Sequence, residues 1–295
     1  MSTKTATRRK PSAAKIAASE ERLEAMHEAL VAKTDALVTS EGWAEYLAFA
    51  ARFRQYSFNN TMLILLQCPD ATHVASYKKW AEMGRQVRKG ERGLSIFAPM
   101  MKRREDKETG EEKRYISGFR LVSVFDVAQT DGDALPEDPA RPVLLEGQAP
   151  EGLWQSLAEM VFDAGYTLQR GPSTRGENGF TSPTDKVVQV SEGLSDAQAC
   201  KTLIHEVAHM LLHCEDKALT EDAILHRNVA EVEAESTAFI VAQVHGLPTE
   251  TYSLPYVAGW SGGKTEVIAA TADRVLRTAK TILAKTEVAE EEDAA

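Results

Sequence analysis

Cysteine is scarce in this chain. Cys68, Cys200 and Cys214 are the only three thiols in 295 residues, and they are widely scattered. That excludes a disulfide framework, so packed cores have to supply the stability, and a reducing compartment suits the chain. No apolar run approaches the ~18 residues that a membrane-spanning helix needs. The first sixteen residues hold Lys4, Arg8, Arg9, Lys10 and Lys15, no acidic residue, and no apolar stretch of the kind a secretory leader requires. Residues 1–17 are therefore expected to be a disordered basic arm on a cytoplasmic protein with no membrane partner. No internal repeat is visible. With 43% hydrophobic and 26% charged residues, the chain is long enough for two ordinary cores.

Charge is unevenly distributed. Residues 1–130 carry 22 Lys and Arg against 16 Asp and Glu, a net of +6, while the remainder carries 12 against 28, a net of −16. Such a split points to a polyanionic partner for the first half and not for the second. A segment at 131–150, with Pro136, Pro139, Pro142 and Pro150 among several acids, reads as a linker. The expected organisation is α+β: the arm, a domain over 18–130, the linker, a second domain over 151–286, and an acidic tail at 287–295. The composition of the linker predicts halves that fold separately, with residues 1–130 able to bind DNA alone.

The second half contains His205-Glu206-Val207-Ala208-His209. Positions i and i+4 of a helix lie about 40° apart, so both imidazoles project from one face. Residues 197–213 supply that helix, with Leu203, Val207, Met210 and Leu211 for its apolar side. Two neutral imidazoles and one carboxylate are the usual protein ligands of a catalytic Zn²⁺, which keeps its fourth position for water. Glu206 then stands where a carboxylate takes a proton from that water, as in an open peptidase site. A second helix near 228–245 carries Glu231, Glu233 and Glu235. Glu231 and Glu235 share a face, whereas Glu233 points elsewhere. We assign Glu231 as the third ligand and Glu235 as the carboxylate that orients a ligand imidazole. His213 extends the histidine row and reads as a helix-terminal residue interacting with the dipole, with a substrate or proton contact as the alternative. The Gly-turned third-histidine spacing of metzincins is absent.

In the first half, helices are expected over 18–50, from Asn59 or Asn60 to Cys68, and over 76–83. They are followed by a strand and turn at 85–93 and strands at 94–99 and 115–125, with a charged loop at 102–114 and the sheet antiparallel. Residues 78–104 hold nine basic side chains against Glu82 and Glu91. Lys78, Lys79, Arg85, Arg88, Lys89 and Arg92, with Trp80 among them, form the candidate surface for single-stranded DNA, cations on phosphates and aromatic faces on bases. The competing reading makes Trp80 and Phe97 core residues beneath a solvated charged face.

The blocks Ser57-Phe-Asn-Asn60, Pro69 to Trp80, Gly84 to Gly93 and Val124 to Thr130 resemble the N-terminal domain of ArdC-type antirestriction proteins. The resemblance implies single-stranded-DNA binding, followed in the same order by a zincin-like metallopeptidase domain. The stretch His205–His213 with its downstream glutamate is also similar to the ImmA/IrrE metallopeptidases, whose HExxH-plus-Glu pattern falls on His205, His209 and Glu231. Two functions compete. One is a DNA-binding protein with a fused zinc peptidase acting on a protein or peptide. The other is a non-enzymatic DNA-shielding protein whose zinc site is structural or vestigial.

Overall fold

The computed structural model describes residues 21–287 except 23, 27, 33, 35, 36, 38, 106–111, 136–146, 174–176, 215–222 and 250–263. The basic arm, most of the linker, the aromatic run 252–260 and all but Glu287 of the acidic tail lie outside those residues. The protein is α+β. Helix α1 (Ser40–Arg52) begins at its own cap, Thr39, whose hydroxyl accepts the Gly42 N–H at 3.0 Å. The single helix expected over 18–50 is therefore interrupted, because a Thr cap satisfies amide donors that a continuing helix would have bonded. Ser57 caps α2 (Phe58–Gln67) and Ser76 caps α3 (Tyr77–Glu82). Between these helices runs the short strand β1 (Val74–Ala75).

Strand β3 (Leu94–Glu105) pairs antiparallel with β4 (Glu112–Asp126), and β1 adds to the far edge of β4. Inner residues Leu94, Ile96 and Val124 are buried against the helices. Asn60 fixes the sheet to α2, its amide donating to the Phe97 carbonyl and accepting the Phe97 N–H. The charged loop expected at 102–114 is mostly strand, since the ladder continues through Lys102–Tyr115 to Glu105–Glu112. A two-stranded ribbon with no buried face loses the alternating pattern that betrays strands in a sequence.

A second small ladder joins β2 (Arg85–Val87) to β5 (Thr130–Gly132). Gly132 adopts φ +140, and a Cβ there would come within 2.4 Å of the Gly84 carbonyl oxygen. Gly132→Ala is expected to cost about 1–3 kcal/mol, because both the backbone angle and the clash oppose it. A shift in the urea midpoint measures this, and an unchanged midpoint refutes it.

The second half opens with α4 (Leu153–Asp163) and a three-stranded sheet. In that sheet β6 (Thr167–Gly171) runs parallel to β8 (Val187–Ser191), and β7 (Gly179–Ser182) pairs antiparallel on its other side. Helices α5 (Asp196–His213), α6 (Ala223–Val244) and α7 (Thr265–Thr286) follow. Helix α6 starts before the expected 228.

The two halves share a core, contrary to the expectation of separate folding units. Helix α1 packs on α6, and Trp43, wholly buried, donates its indole N–H to Ser236 Oγ at 2.9 Å. Lys280 of α7 donates to the Tyr56 carbonyl, and Arg54 pairs with Glu287. One continuous apolar cluster runs from Leu30 to Leu283. A proline-rich segment and a charge split describe surfaces; neither reveals which apolar stripes face each other.

Candidate metal centre and nucleic-acid surface

Helices α5 and α6 lie side by side because each presents an apolar stripe to the other, Leu203, Val207 and Met210 from one and Val232 and Ile240 from the other, all buried. That packing brings His205 and His209 to Glu231. The two Nε2 atoms are 3.0 Å apart, and each lies 3.6 Å from a Glu231 carboxylate oxygen. A tetrahedral centre with bonds of about 2.0–2.1 Å spaces its ligand atoms about 3.3 Å apart, and the three observed separations bracket that value. Among the described residues these three side chains form the cluster that could hold a metal ion. The electrostatics favour positive charge. Burial disfavours the His205 imidazolium, yet hydrogen bonds to Glu231 and Glu235 and the nearby Glu206 charge hold its pKa up at about 10. The same two histidines, against the cost of burial, hold Glu231 well below the usual carboxylate range.

Glu235 Oε2 sits 3.0 Å from His205 Nδ1, the ring nitrogen facing away from the cluster. His209 is supported differently. Its Nδ1 lies 3.1 Å from His213 Nδ1, and His213 Nε2 lies 3.0 Å from Glu233 Oε2. The other oxygen of Glu233 accepts from Arg274 of α7. His213 is the last residue of α5, as the helix-terminal reading has it, and it also links a candidate ligand to a buried carboxylate. Glu233 does face away from the cluster, but into this chain of contacts. Glu233 is 1% exposed, and a carboxylate so buried requires charged partners.

Glu206 is buried next to the cluster, and burial pushes its carboxyl up, opposed by the charge of His205 and a hydrogen bond from Thr181. The Thr181 hydroxyl donates to Glu206 Oε2 at 2.8 Å and lies 3.1 Å from the Glu206 carbonyl oxygen. A cavity of about 370 Å³ opens here, lined by Phe180, Thr181, His205, Glu206, His209 and Glu231. Its wall is β7, which among the described strands pairs only with β8 and so leaves an edge. Thr181 and Arg274 were not singled out from the sequence, and the contact between His213 and Glu233 was not foreseen. Apart from the i, i+4 contact of His213 with His209, packing makes these contacts over separations of 20 to 41 residues.

The candidate DNA residues fare unevenly. Trp80 is fully buried and donates its indole N–H to the Phe125 carbonyl at 2.9 Å, so it cannot stack on a base. Arg85 spends its guanidinium on Thr130 and on the carbonyls of Gly132 and Asp133. Arg88 pairs with Glu91 and Asp131. Both arginines tie β2 to β5 and its neighbours, which leaves them poorly placed for phosphate. Lys78 and Lys79 lie near Glu82 at 3.5 and 3.7 Å but are well exposed, as are Lys89 and Arg92. Among the described residues no helix is long and apolar enough to cross a membrane.

Residues 19–125 match the N-terminal domain of the anti-restriction factor ArdC, and residues 166–261 match the IrrE N-terminal-like domain of peptidase family M78. An uncharacterized protein of Bacillus anthracis is 28% identical over 282 residues, 82% of this chain and 47% of that protein. An uncharacterized protein of Sinorhizobium fredii is 32% identical over 143 residues, 45% of this chain and 43% of that protein. The chain thus spans slightly under half the length of these relatives. The metal-free crystal structure of the antirestriction ArdC protein from plasmid R388 aligns with a TM-score of 0.52 at 24% identity, covering 79% of this chain and 85% of that one. The Mn(II)-bound structure aligns with the same TM-score at 22% identity, over 78% and 85%. At that identity the likeness establishes a common fold.

Proposed function

We propose that the chain is an ArdC-type protein, on the matches of its two halves to the ArdC N-terminal and IrrE N-terminal-like domains, and that it binds single-stranded DNA through its first half and carries a zinc-dependent peptidase-type centre in its second. The observation that carries the enzymatic reading is Glu206. A purely structural site has no use for a buried carboxylate beside three candidate ligands, facing a cavity and steadied by Thr181. Two imidazoles and one carboxylate suit a borderline cation such as Zn²⁺ better than Mg²⁺, which prefers oxygen. The R388 protein has been solved in an Mn(II)-bound form, which supports a divalent ion for a chain of this fold. His205, His209 and Glu231 would hold the ion, which when bound supplies Lewis acidity to a carbonyl and to water.

The chain's own residues would do the rest. Glu206 takes the proton of the attacking water and returns it to the departing amine. Burial raises its affinity for that proton, while the Thr181 hydroxyl fixes the carboxylate's direction. The edge of β7 that is unpaired among the described strands can hydrogen-bond an extended peptide alongside Glu206. We place the division between the halves in the linker at 131–150. Proteolysis of a DNA-bound protein, with the chain held nearby on the same strand, is the peptidase activity that this arrangement serves.

The test is casein or self-cleavage with and without chelator, read beside zinc content and single-strand affinity. Cleavage lost with chelator and in Glu206→Gln supports the peptidase; DNA binding with zinc retained and no cleavage of any substrate supports shielding alone. Affinity for DNA should fall steeply with salt, as bound counterions are released. His213→Ala and Glu235→Ala should each weaken zinc binding by about 10–100-fold, the usual effect of losing a group that orients a ligand imidazole. Competition with a zinc-sensitive dye measures this. Unchanged affinity in both variants would remove the orienting role.

A further inference from the structure

Of the eleven large hydrophobic side chains exposed among the described residues, five sit together where β3 and β4 run out beyond the core. Met100, Met101, Tyr115, Ile116 and Phe119 are between 41% and 54% exposed. They are set in an unusual charge pattern. Residues 99–104 and 113–120 contain six Lys and Arg, with Glu105 and Glu112 following at the outer end of the ladder. The register aligns Lys102 with Tyr115, Met101 with Ile116, Pro99 with Phe119 and Ala98 with Arg120.

A bulge lies within this stretch. Between the pairs at Pro99 and Met101, one residue of β3 meets two of β4, Ser117 and Gly118. Gly118 adopts φ +150, and a Cβ there would press on Met100 Cε at 3.1 Å. Opposed residues share a face of a ladder, and a bulge re-aims the strand that carries it. Following β3 across the bulge, Phe119 and Ile116 fall on one face with Pro99, Met101 and Arg103. Tyr115 falls on the other with Lys102, Ala98 and Arg120. Each face of the ribbon therefore offers one aromatic ring, apolar neighbours and cations.

We propose that this ribbon is the arm by which the protein grips a nucleic-acid single strand, with Tyr115 and Phe119 as stacking surfaces and Lys102 and Arg120 on phosphates. The inference rests on the DNA-binding reading above and relocates its contacts from the 78–92 segment. A single strand supplies a partner for both features of the ribbon: unpaired base faces for the exposed rings, and a regular row of negative charge for Lys102 and Arg120. A protein-binding patch with these apolar groups would be depleted of lysine at its centre. A duplex withholds its base faces.

The experiment uses the full chain and fluorescence anisotropy of a labelled oligothymidine at low salt. Tyr115→Ala and Phe119→Ala should each lower affinity about fivefold or more, whereas Phe119→Trp should retain it. Lys102→Ala with Arg120→Ala should weaken binding and flatten its salt dependence. Lys78→Ala with Lys79→Ala should cost less than either ring. Thermal melts check that each variant is folded, which its exposure favours. Wild-type affinity in the folded Tyr115→Ala, Phe119→Ala double variant overturns the arm while leaving DNA binding standing. A wild-type protein that ignores the oligonucleotide overturns the DNA-binding reading and the arm with it. Ring variants that keep the oligonucleotide but lose self-association or anionic-vesicle binding assign the ribbon to that other partner.

Discussion

His205→Ala and His209→Ala are expected to strip the divalent ion, lowering affinity by more than about 100-fold, beyond the usual effect of disturbing a group that only orients a ligand. Each removes one of three donors whose mutual separations are 3.0 and 3.6 Å, and no other described side chain stands ready to replace it. His213 is held at His209 Nδ1 on one side and Glu233 on the other, so it cannot take over without breaking both contacts. Glu206→Gln should behave in the opposite way. The amide keeps the volume and can still bond Thr181, so the fold and the metal persist, but it cannot accept a proton. Peptide hydrolysis should drop by about 10²–10⁴-fold, the range general-base removal gives. Metal analysis of the dialysed variants beside a cleavage assay reads both effects. Full occupancy in the double histidine variant, or undiminished cleavage by Glu206→Gln, would end the assignment.

Those residues were legible because their relation is local. The i, i+4 spacing of His205 and His209 is a property of one helix, and Glu231 and Glu235 share a face of the next by the same geometry. What joins the two helices is packing, so the partner of each imidazole was readable only as a pairing by type. Glu235 meets His205, as its position allowed, but the support of His209 comes through His213, Glu233 and Arg274, drawn from three helices. Trp80 shows a different limit. Aromatics among cations look alike whether they cover a core or await a base, and only the buried indole bonded to Phe125 decides between them. The family-like run at Ser57–Asn60 likewise proves to be scaffold, a helix cap and a fastening of β3. Tyr115 and Phe119 fall within the strand expected at 115–125, but nothing in the local sequence shows that their rings are left exposed.

Trp43→Ala is expected to damage both halves at once. Trp43 is fully buried between α1 and α6, and truncating a buried tryptophan costs about 3–5 kcal/mol. The variant also leaves Ser236 Oγ without its indole donor, one residue from the Glu235 that holds His205. Because the apolar cluster is continuous from Leu30 to Leu283, the intact protein should unfold in one transition, seen alike by probes in either half. A divalent ion held at His205, His209 and Glu231 would then be a ligand of the whole fold. At about 100 times its dissociation constant it adds about 2.7 kcal/mol, and chelation should lower the melting temperature of the first half as well. Residues 1–130 expressed alone would expose the face of α1 that α6 covers, so the fragment should aggregate or bind the oligonucleotide far more weakly than the full chain. Trp43→Phe, which keeps most of the ring volume, should cost only the lost hydrogen bond and some packing. Two separate transitions, a zinc-insensitive first half, or a fragment with full DNA affinity would each show that the shared core does not couple the halves.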